Sequence, residues 1–556
     1  MRLHHRMMLR YTLLPILCLA AGMPCAAQCN FPTKTTGRVL TYIFEHTVTA
    51  ETNVLHVMLK FQGNSEGSEE IEIPTHWAGE TLHGMTNLRA LSSGTVLGDS
   101  VEDRKTLHYP PNQQVILSYD LVKDWTGPFK HPLQFHAVLM PEYIEINGEN
   151  AFVYPKMDRE APVTVNFDWQ KIPAAWALAT SFGTGAGPDD RCQSYSGLLN
   201  NMQQALFTAG VFRIHHFQIG NRPAVLAIRG QWIFTDEQAM GDIQKAVGIV
   251  RDFWHDDNFP YFLVTVKAYD QDHDNSDGSA FTNAFWMYMS RLDPLSFQLP
   301  TLVHETFHAW NPRRMGLIPP NGERSIEWFR EGFTTYYEYL LLYRAGLMPL
   351  PDYVENVNRD LRDYPTSSSA YVRGRVMALW LDWQIRKNSN NKSSLDNIMF
   401  EMVREADKPL TVGRIFQTAG RYITPTAGEQ FQQAVEQHAF PQMNGASFGP
   451  CVRLTMDDLP TFDLGFDLAA SRKSNTVTGV DPDGPAFKAG LRDGQQLNGR
   501  ISIYNGRTDK TAIITIQTDA GRQAIEYYPR GKTIPIPQFH LDEKAYAAGE
   551  AACKMW

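Results

Sequence analysis

The sequence predicts a multidomain α+β protein: an all-β amino-terminal domain, a mostly helical central domain and a smaller strand-rich domain at the carboxy terminus. Three observations predict it. The chain has 556 residues, more than a single core accommodates. Short runs at 39–44, 54–61, 114–121 and 151–154, several alternating apolar and polar residues with period two, are separated by turn residues, the pattern of half-buried strands. From 296 to about 440 helical patterns take over, and beyond Cys451 a glycine-containing run opens a separate module.

Residues 1–27 differ from everything after them. Arg2, His4, His5, Arg6 and Arg10 make a basic start, 11–21 is largely apolar, and Ala26 and Ala27 end the segment with small side chains. This pattern predicts a secretory signal peptide cleaved after Ala27, so the mature chain is expected to be exported, periplasmic or secreted. The apolar run is shorter than the roughly 20 residues of a spanning helix, and no later run is longer, so no membrane segment is expected in the mature protein. Cys29, Cys192, Cys451 and Cys553 remain, enough for two disulfides in any of three pairings. Gln28 is too large for the residue that precedes a lipidated cysteine, which argues against an anchor at Cys29. With 51 basic and 60 acidic residues the formal charge is -9, and no dense cationic cluster follows the leader, so nucleic acid is not an expected partner.

The β domain, 28–170, is expected to act as a scaffold that walls one side of a cleft. Beyond it, strands over 224–229 and 261–266 should flank a helix over 235–256, in which Ile243, Val247, Val250 and Trp254 recur at helical spacing. The acidic run from Asp270 to Gly278 lacks the glycine and the terminal glutamate of a calcium loop, with Phe281 at the twelfth position, and reads as a solvated loop.

The chemistry concentrates at His304-Glu305-Thr306-Phe307-His308. On a helix, residues i and i+4 share a face, so His304 and His308 would present two imidazoles to one metal ion. Glu305 would stand beside the attacking water as its base. Such a site needs a third protein ligand, and a second helical pattern over 327–340 offers Glu331 or, one turn earlier, Glu327; spacing leaves both open.

Taken together, His304-Glu305-x-x-His308-x-Trp310-Asn311-x-x-Arg314, Glu331-Gly332-x-Thr334-x-Tyr336-Tyr337, Arg344-Ala345-Gly346-Leu347, Tyr371-Val372-Arg373-Gly374, Leu379-Trp380-Leu381-Asp382 and Ile385-Arg386 resemble the glycyl aminopeptidase family of gluzincin zinc metallopeptidases. The resemblance covers most of 300–400. It implies a thermolysin-like catalytic domain over 171–450, one zinc ion per chain and peptide substrates cleaved after small amino-terminal residues such as Gly or Ala. In the similar aminopeptidase N family the third ligand is the Glu of a Glu-Gly pair, which implies Glu331. A Tyr before x-x-Gly in those relatives supports the oxyanion, which implies Tyr371. The family also carries a Gly-Gly-Leu-Glu-His strand at the cleft edge, where this chain has Gly278 to Thr282, with Phe281 and Thr282 in place of Glu and His. A neutral pair does not balance a substrate ammonium, so an endopeptidase on the same scaffold is the alternative, and Gly278, Thr282 and Asn283 are the expected contacts to substrate backbone. Arg313 and Arg314 are expected to be structural, with orientation of a substrate carboxylate or of the Glu331 helix as the other reading.

The run Gly484-Pro485-Ala486-x-x-Ala489-Gly490-Leu491-x-x-Gly494 resembles a PDZ domain of bacterial export proteases, spanning 455–538 and followed by a tail over 539–556. In such domains the loop at Leu464-Gly465-Phe466 binds a peptide's terminal carboxylate through backbone amides. A non-catalytic peptide-binding protein is therefore the second alternative.

Overall fold

The period-two runs near the amino terminus form strands. In the computed structural model, which describes residues 29–49, 53–184, 189–270, 276–319, 322–444, 448–547 and 553, Arg38–Val48 and Asn53–Gln62 pair antiparallel. Leu40, Tyr42 and Phe44 from the first, and Leu55, Val57, Leu59 and Phe61 from the second, all point to one core. The predicted signal peptide lies outside the described residues, as does 271–275 of the acidic loop.

These two strands are the middle of a six-stranded sheet ordered Cys192–Leu198, Pro162–Lys171, Arg38–Val48, Asn53–Gln62, Gln114–Val122, Met85–Ala90. Its buried face packs, through Phe167 and Trp169 against Phe207, on a second sheet containing Tyr143–Asn147 and Leu206–Gly210. This core runs on past residue 170, since Leu178, Met202, Phe207 and Ala209 belong to it. The strand expected at 151–154 is reduced to Tyr154–Pro155, because Asn147 caps a helical turn at Gly148–Ala151 with a capping box.

A third, five-stranded sheet follows, ordered Arg213–Ile219, Arg222–Ile228, Phe262–Ala268, Ala284–Met289, Asp277–Phe281. The helix Asp236–Trp254, started by a Thr235–Gln238 capping box, crosses between its parallel strands Arg222–Ile228 and Phe262–Ala268. The β layers dock on this sheet through a buried, fully paired cluster. Glu145 accepts from Tyr288 Oη at 2.9 Å and from Thr265 and Lys267. Asp277–Phe281 is the outermost strand, so one of its backbone edges is left unpaired by the sheet.

Helices Leu299–Phe307, Thr334–Arg344, Leu350–Asp363, Ala370–Ser389, Leu395–Arg404, Val412–Gly420 and Pro425–Glu436 make the expected helical region and share one core with the helix Asp236–Trp254. From it a long ribbon projects, Val452–Phe462 paired with Arg530–Leu541. Asn358 clamps the base of the ribbon: its side chain accepts from Phe539 N–H and donates to Phe539 C=O, both at 2.7 Å.

The ribbon carries a three-stranded sheet, Leu497–Ser502, Ala512–Thr518 and Gly521–Tyr527. After Leu464-Gly465-Phe466 the chain forms the helix Leu468–Ser474, and one bridge joins Thr476 to Gln496. The Asp467 carboxylate caps that helix by accepting from Ala470 N–H at 2.9 Å.

The cysteines pair as Cys29–Cys192 and Cys451–Cys553, a choice the sequence left open. Two disulfides suit an oxidising, extracytoplasmic compartment. No described helix is long and apolar enough to cross a membrane.

Candidate active site

The helix Leu299–Phe307 is buried on the face that carries Leu302, Val303 and Phe307, which fixes its rotation and turns His304 and His308 to one side. Their Nε2 atoms lie 3.1 Å apart. Glu331 Oε2 is 3.3 Å from each of them. A tetrahedral zinc site with bonds of about 2.0–2.1 Å has ligand–ligand edges of about 3.3–3.4 Å, so these three atoms fit three corners of such a tetrahedron. Among the described residues this is the one group of three His, Cys, Asp or Glu side chains close enough to hold a metal. Glu327, the competitor in sequence, is outside it.

The chain reaches Glu331 through a π-helical turn, Trp328–Phe333, inserted before the α-helix Thr334–Arg344. Asn311, fully buried, holds that turn in place by donating to the carbonyls of Phe329 and Arg330 and to Thr334 Oγ1 at 3.1–3.3 Å. The carbonyl of the same Asn311 lies 2.8 Å from His308 Nδ1, and Glu338 Oε2 lies 3.0 Å from His304 Nδ1. With each Nδ1–H donating to these acceptors, both Nε2 lone pairs are free for a metal. The sequence reading missed both partners. Their signals were present: Glu338 follows Glu331 by seven residues, two turns along one face, and Asn311 follows His308 by three.

Charge in the site is strongly coupled. Burial acts to lower the His304 pKa, but Glu331 and Glu338 outweigh it and push it up to about 10. Burial acts to raise Glu331, and the two histidines hold it instead well below the usual carboxylate range. Glu305 is raised by burial, against the pull of His304 and His308, which suits a group that accepts a proton. Tyr371 is raised first by burial and then by Glu331 and Glu305, so its hydroxyl keeps its proton as a donor. Its ring stands over His304 at 5.9 Å between centroids, at the start of the helix Ala370–Ser389.

Gly278 lies directly against Glu305. A Cβ placed there would come within 3.0 Å of Glu305 Cγ and 3.3 Å of its Oε1. Thr282 and Asn283, expected to contact substrate, form the hairpin turn at the far end of the strand instead. The Thr282 amide and hydroxyl are both committed, donating to Gln204 C=O at 2.7 Å and Asn201 C=O at 2.9 Å, and Asn283 adopts the left-handed conformation of the turn. Phe281 is buried against Trp77 and Trp286. The two arginines after the motif divide: Arg314 pairs with Asp256 and lies over Phe259 and Trp310, whereas Arg313 donates to Ala280 C=O on the edge strand.

Residues 298–398 match the model of the M61 glycyl aminopeptidase family. Among solved structures the fold is similar to an aminopeptidase N family protein from Idiomarina loihiensis, with a TM-score of 0.68 and 16% identity over 91% of this chain and 98% of that one. An M1 zinc metallopeptidase from Deinococcus radiodurans aligns with a TM-score of 0.49 and 14% identity, over 73% of this chain and 96% of that one. A comparison with curated proteins gives no match. The family match falls on the segment that brings His304, His308 and Glu331 together, and this segment is that of a zinc metallopeptidase of the M61 glycyl aminopeptidase kind.

Proposed function

We propose that this protein releases small residues, Gly or Ala, from the free amino termini of peptides after export from the cytoplasm. The observation that carries the reading is the triangle of His304 Nε2, His308 Nε2 and Glu331 Oε2, set beside Glu305 and the free edge of Asp277–Phe281. A zinc ion held there supplies Lewis acidity to the scissile carbonyl and acidifies water. Glu305 takes the proton from the attacking water and passes it to the leaving amine. The Tyr371 hydroxyl donates to the oxyanion as it develops. Gly278 leaves room for substrate backbone next to Glu305, where the strand edge offers hydrogen bonds to an extended peptide.

Burial of Phe281 at the position of the family's acid favours a second reading, an endopeptidase on this scaffold, because no carboxylate of that strand position meets a substrate ammonium. The carboxy-terminal module, PDZ-like in sequence, is read as a packing unit. The Gly465 N–H donates to Asp463 Oδ1 at 2.7 Å, and a helix follows the loop where strand addition would need an edge.

The test is hydrolysis of free and amino-acetylated Gly and Ala peptides by the mature protein and its Glu305→Gln variant. Cleavage of free peptides alone, lost in the variant, supports the aminopeptidase. Cleavage of both kinds assigns the endopeptidase, and turnover undiminished in Glu305→Gln removes Glu305 from the chemistry.

A further inference from the structure

Arg313 and Arg330 are two cations at the metal site that neither the metal nor the proton transfer uses. Arg313 donates to the carbonyl of Ala280, two residues along the edge strand from the Gly278 that touches Glu305, or about 7 Å of strand. Arg330 Nε lies 2.9 Å from Glu331 Oε1, the oxygen turned away from the two histidines. The guanidinium groups repel each other, and Arg313 also feels the Glu305 carboxylate.

The acids beside them, Glu331 and Glu305, are engaged in the site itself. Arg313 is exposed and has no carboxylate within ion-pair distance among the described residues. Glu331 is committed to the metal site and Glu305 to the proton, so neither guanidinium keeps an acid of its own. The strand position where the family carries an acid holds Phe281, packed against Trp77 and Trp286. Arg314 differs in each respect, being paired with Asp256 and stacked on two aromatic rings.

We propose that Arg313, with Arg330 behind it, reads a substrate carboxylate adjacent to the scissile bond. This rests on the peptidase reading above and adds a substrate class to it. The remaining N–H groups of Arg313 form a planar fork that matches a carboxylate in two parallel hydrogen bonds. The carboxylate is either an Asp or Glu side chain next to the bond or the free carboxy terminus of a short peptide.

Matched peptides separate these sources. Gly-Asp-Ala-amide and Asp-Gly-Ala-amide are compared with their Asn counterparts, and Gly-Ala with Gly-Ala-amide. We expect at least one carboxylate peptide to exceed its amide partner in kcat/KM by about ten- to a hundredfold, the scale of a charge-assisted hydrogen bond. That ratio should vanish in Arg313→Ala and persist in part in Arg313→Lys. Calorimetry of the same pairs on Glu305→Gln should show the same preference in binding, without turnover. Equal treatment of every pair by the wild type, or a ratio that survives Arg313→Ala, overturns the proposal while leaving the peptidase intact. Absence of all hydrolysis sinks the peptidase reading, and calorimetry then decides the carboxylate question alone.

Discussion

Gly332 and Gly374 meet backbone to backbone. A Cβ on Gly332 would lie 2.2 Å from Gly374 Cα, and one on Gly374 would lie 1.9 Å from the carbonyl oxygen of Trp328. The contact sets the spacing between the π-turn and the helix Ala370–Ser389, and it lies one residue after Glu331 and three after Tyr371. Glu331 and Tyr371 therefore reach one point because two glycines allow their backbones to touch. Gly374→Ala should force the helices apart, with a stability loss of about 1–3 kcal/mol or more and weaker zinc retention. Gly428→Ala is the control, since nothing lies within 4 Å of its Cβ position and helix propensity alone would stabilise it slightly. Thermal unfolding with metal analysis reads both variants.

Glu338 touches no other member of the metal triangle, yet it fixes the ring of His304 through Nδ1. Glu338→Ala should lower zinc affinity by about ten- to a hundredfold, while Glu338→Gln, which still accepts a hydrogen bond, should lose less. Competition with a chelator measures both. Equal affinity in wild type and Glu338→Ala would remove this role.

Asp363 is raised to about 6 by burial, with Asp360 adding to the effect, and its carboxyl occupies the place a Cβ on Gly506 would take. A folded-state value above the unfolded one means the native state holds the proton more tightly between about pH 4 and 6. The stability it contributes is thus present below about pH 4 and is lost as pH rises through 6. Asp363→Asn should be more stable than wild type at pH 7, and the gain should disappear near pH 4. Urea midpoints at the two pH values give the difference directly.

The Asn358 side chain ties the carboxy-terminal ribbon to the helical core by two hydrogen bonds to Phe539, beside one from Arg362 to Gln538. Asn358→Ala leaves the buried N–H and C=O of Phe539 without partners, a loss of about 2 kcal/mol or more. Limited proteolysis should then cut first within the ribbon. An unchanged cleavage pattern would show that the Arg362–Gln538 hydrogen bond and the packing of Val452, Ile536 and Phe539 hold the ribbon without the clamp.

The metal-binding histidines were legible because an i, i+4 pair has one geometric meaning on a helix, whereas Glu331 and Glu327 were equivalent until the π-turn and the Gly332–Gly374 contact chose between them. The strands at 39–44, 54–61 and 114–121 were legible from period two, since one face of each is buried. What local pattern misjudged was decided by capping and by distant partners. Asn147 starts a helical turn where a strand was expected, and Thr282 spends its donors on Asn201 and Gln204 from another part of the chain. Arg313 and Arg314 looked alike as neighbours, and only the fold set them to different tasks.

The most direct test of the metal centre is zinc per chain, by native mass spectrometry, in wild type, Glu331→Gln and Glu327→Gln. The geometry of Glu331 Oε2, 3.3 Å from both histidine nitrogens, predicts one zinc in wild type and Glu327→Gln and its loss in Glu331→Gln. Zinc retained by Glu331→Gln and lost from Glu327→Gln, or absent from the wild type, would contradict it.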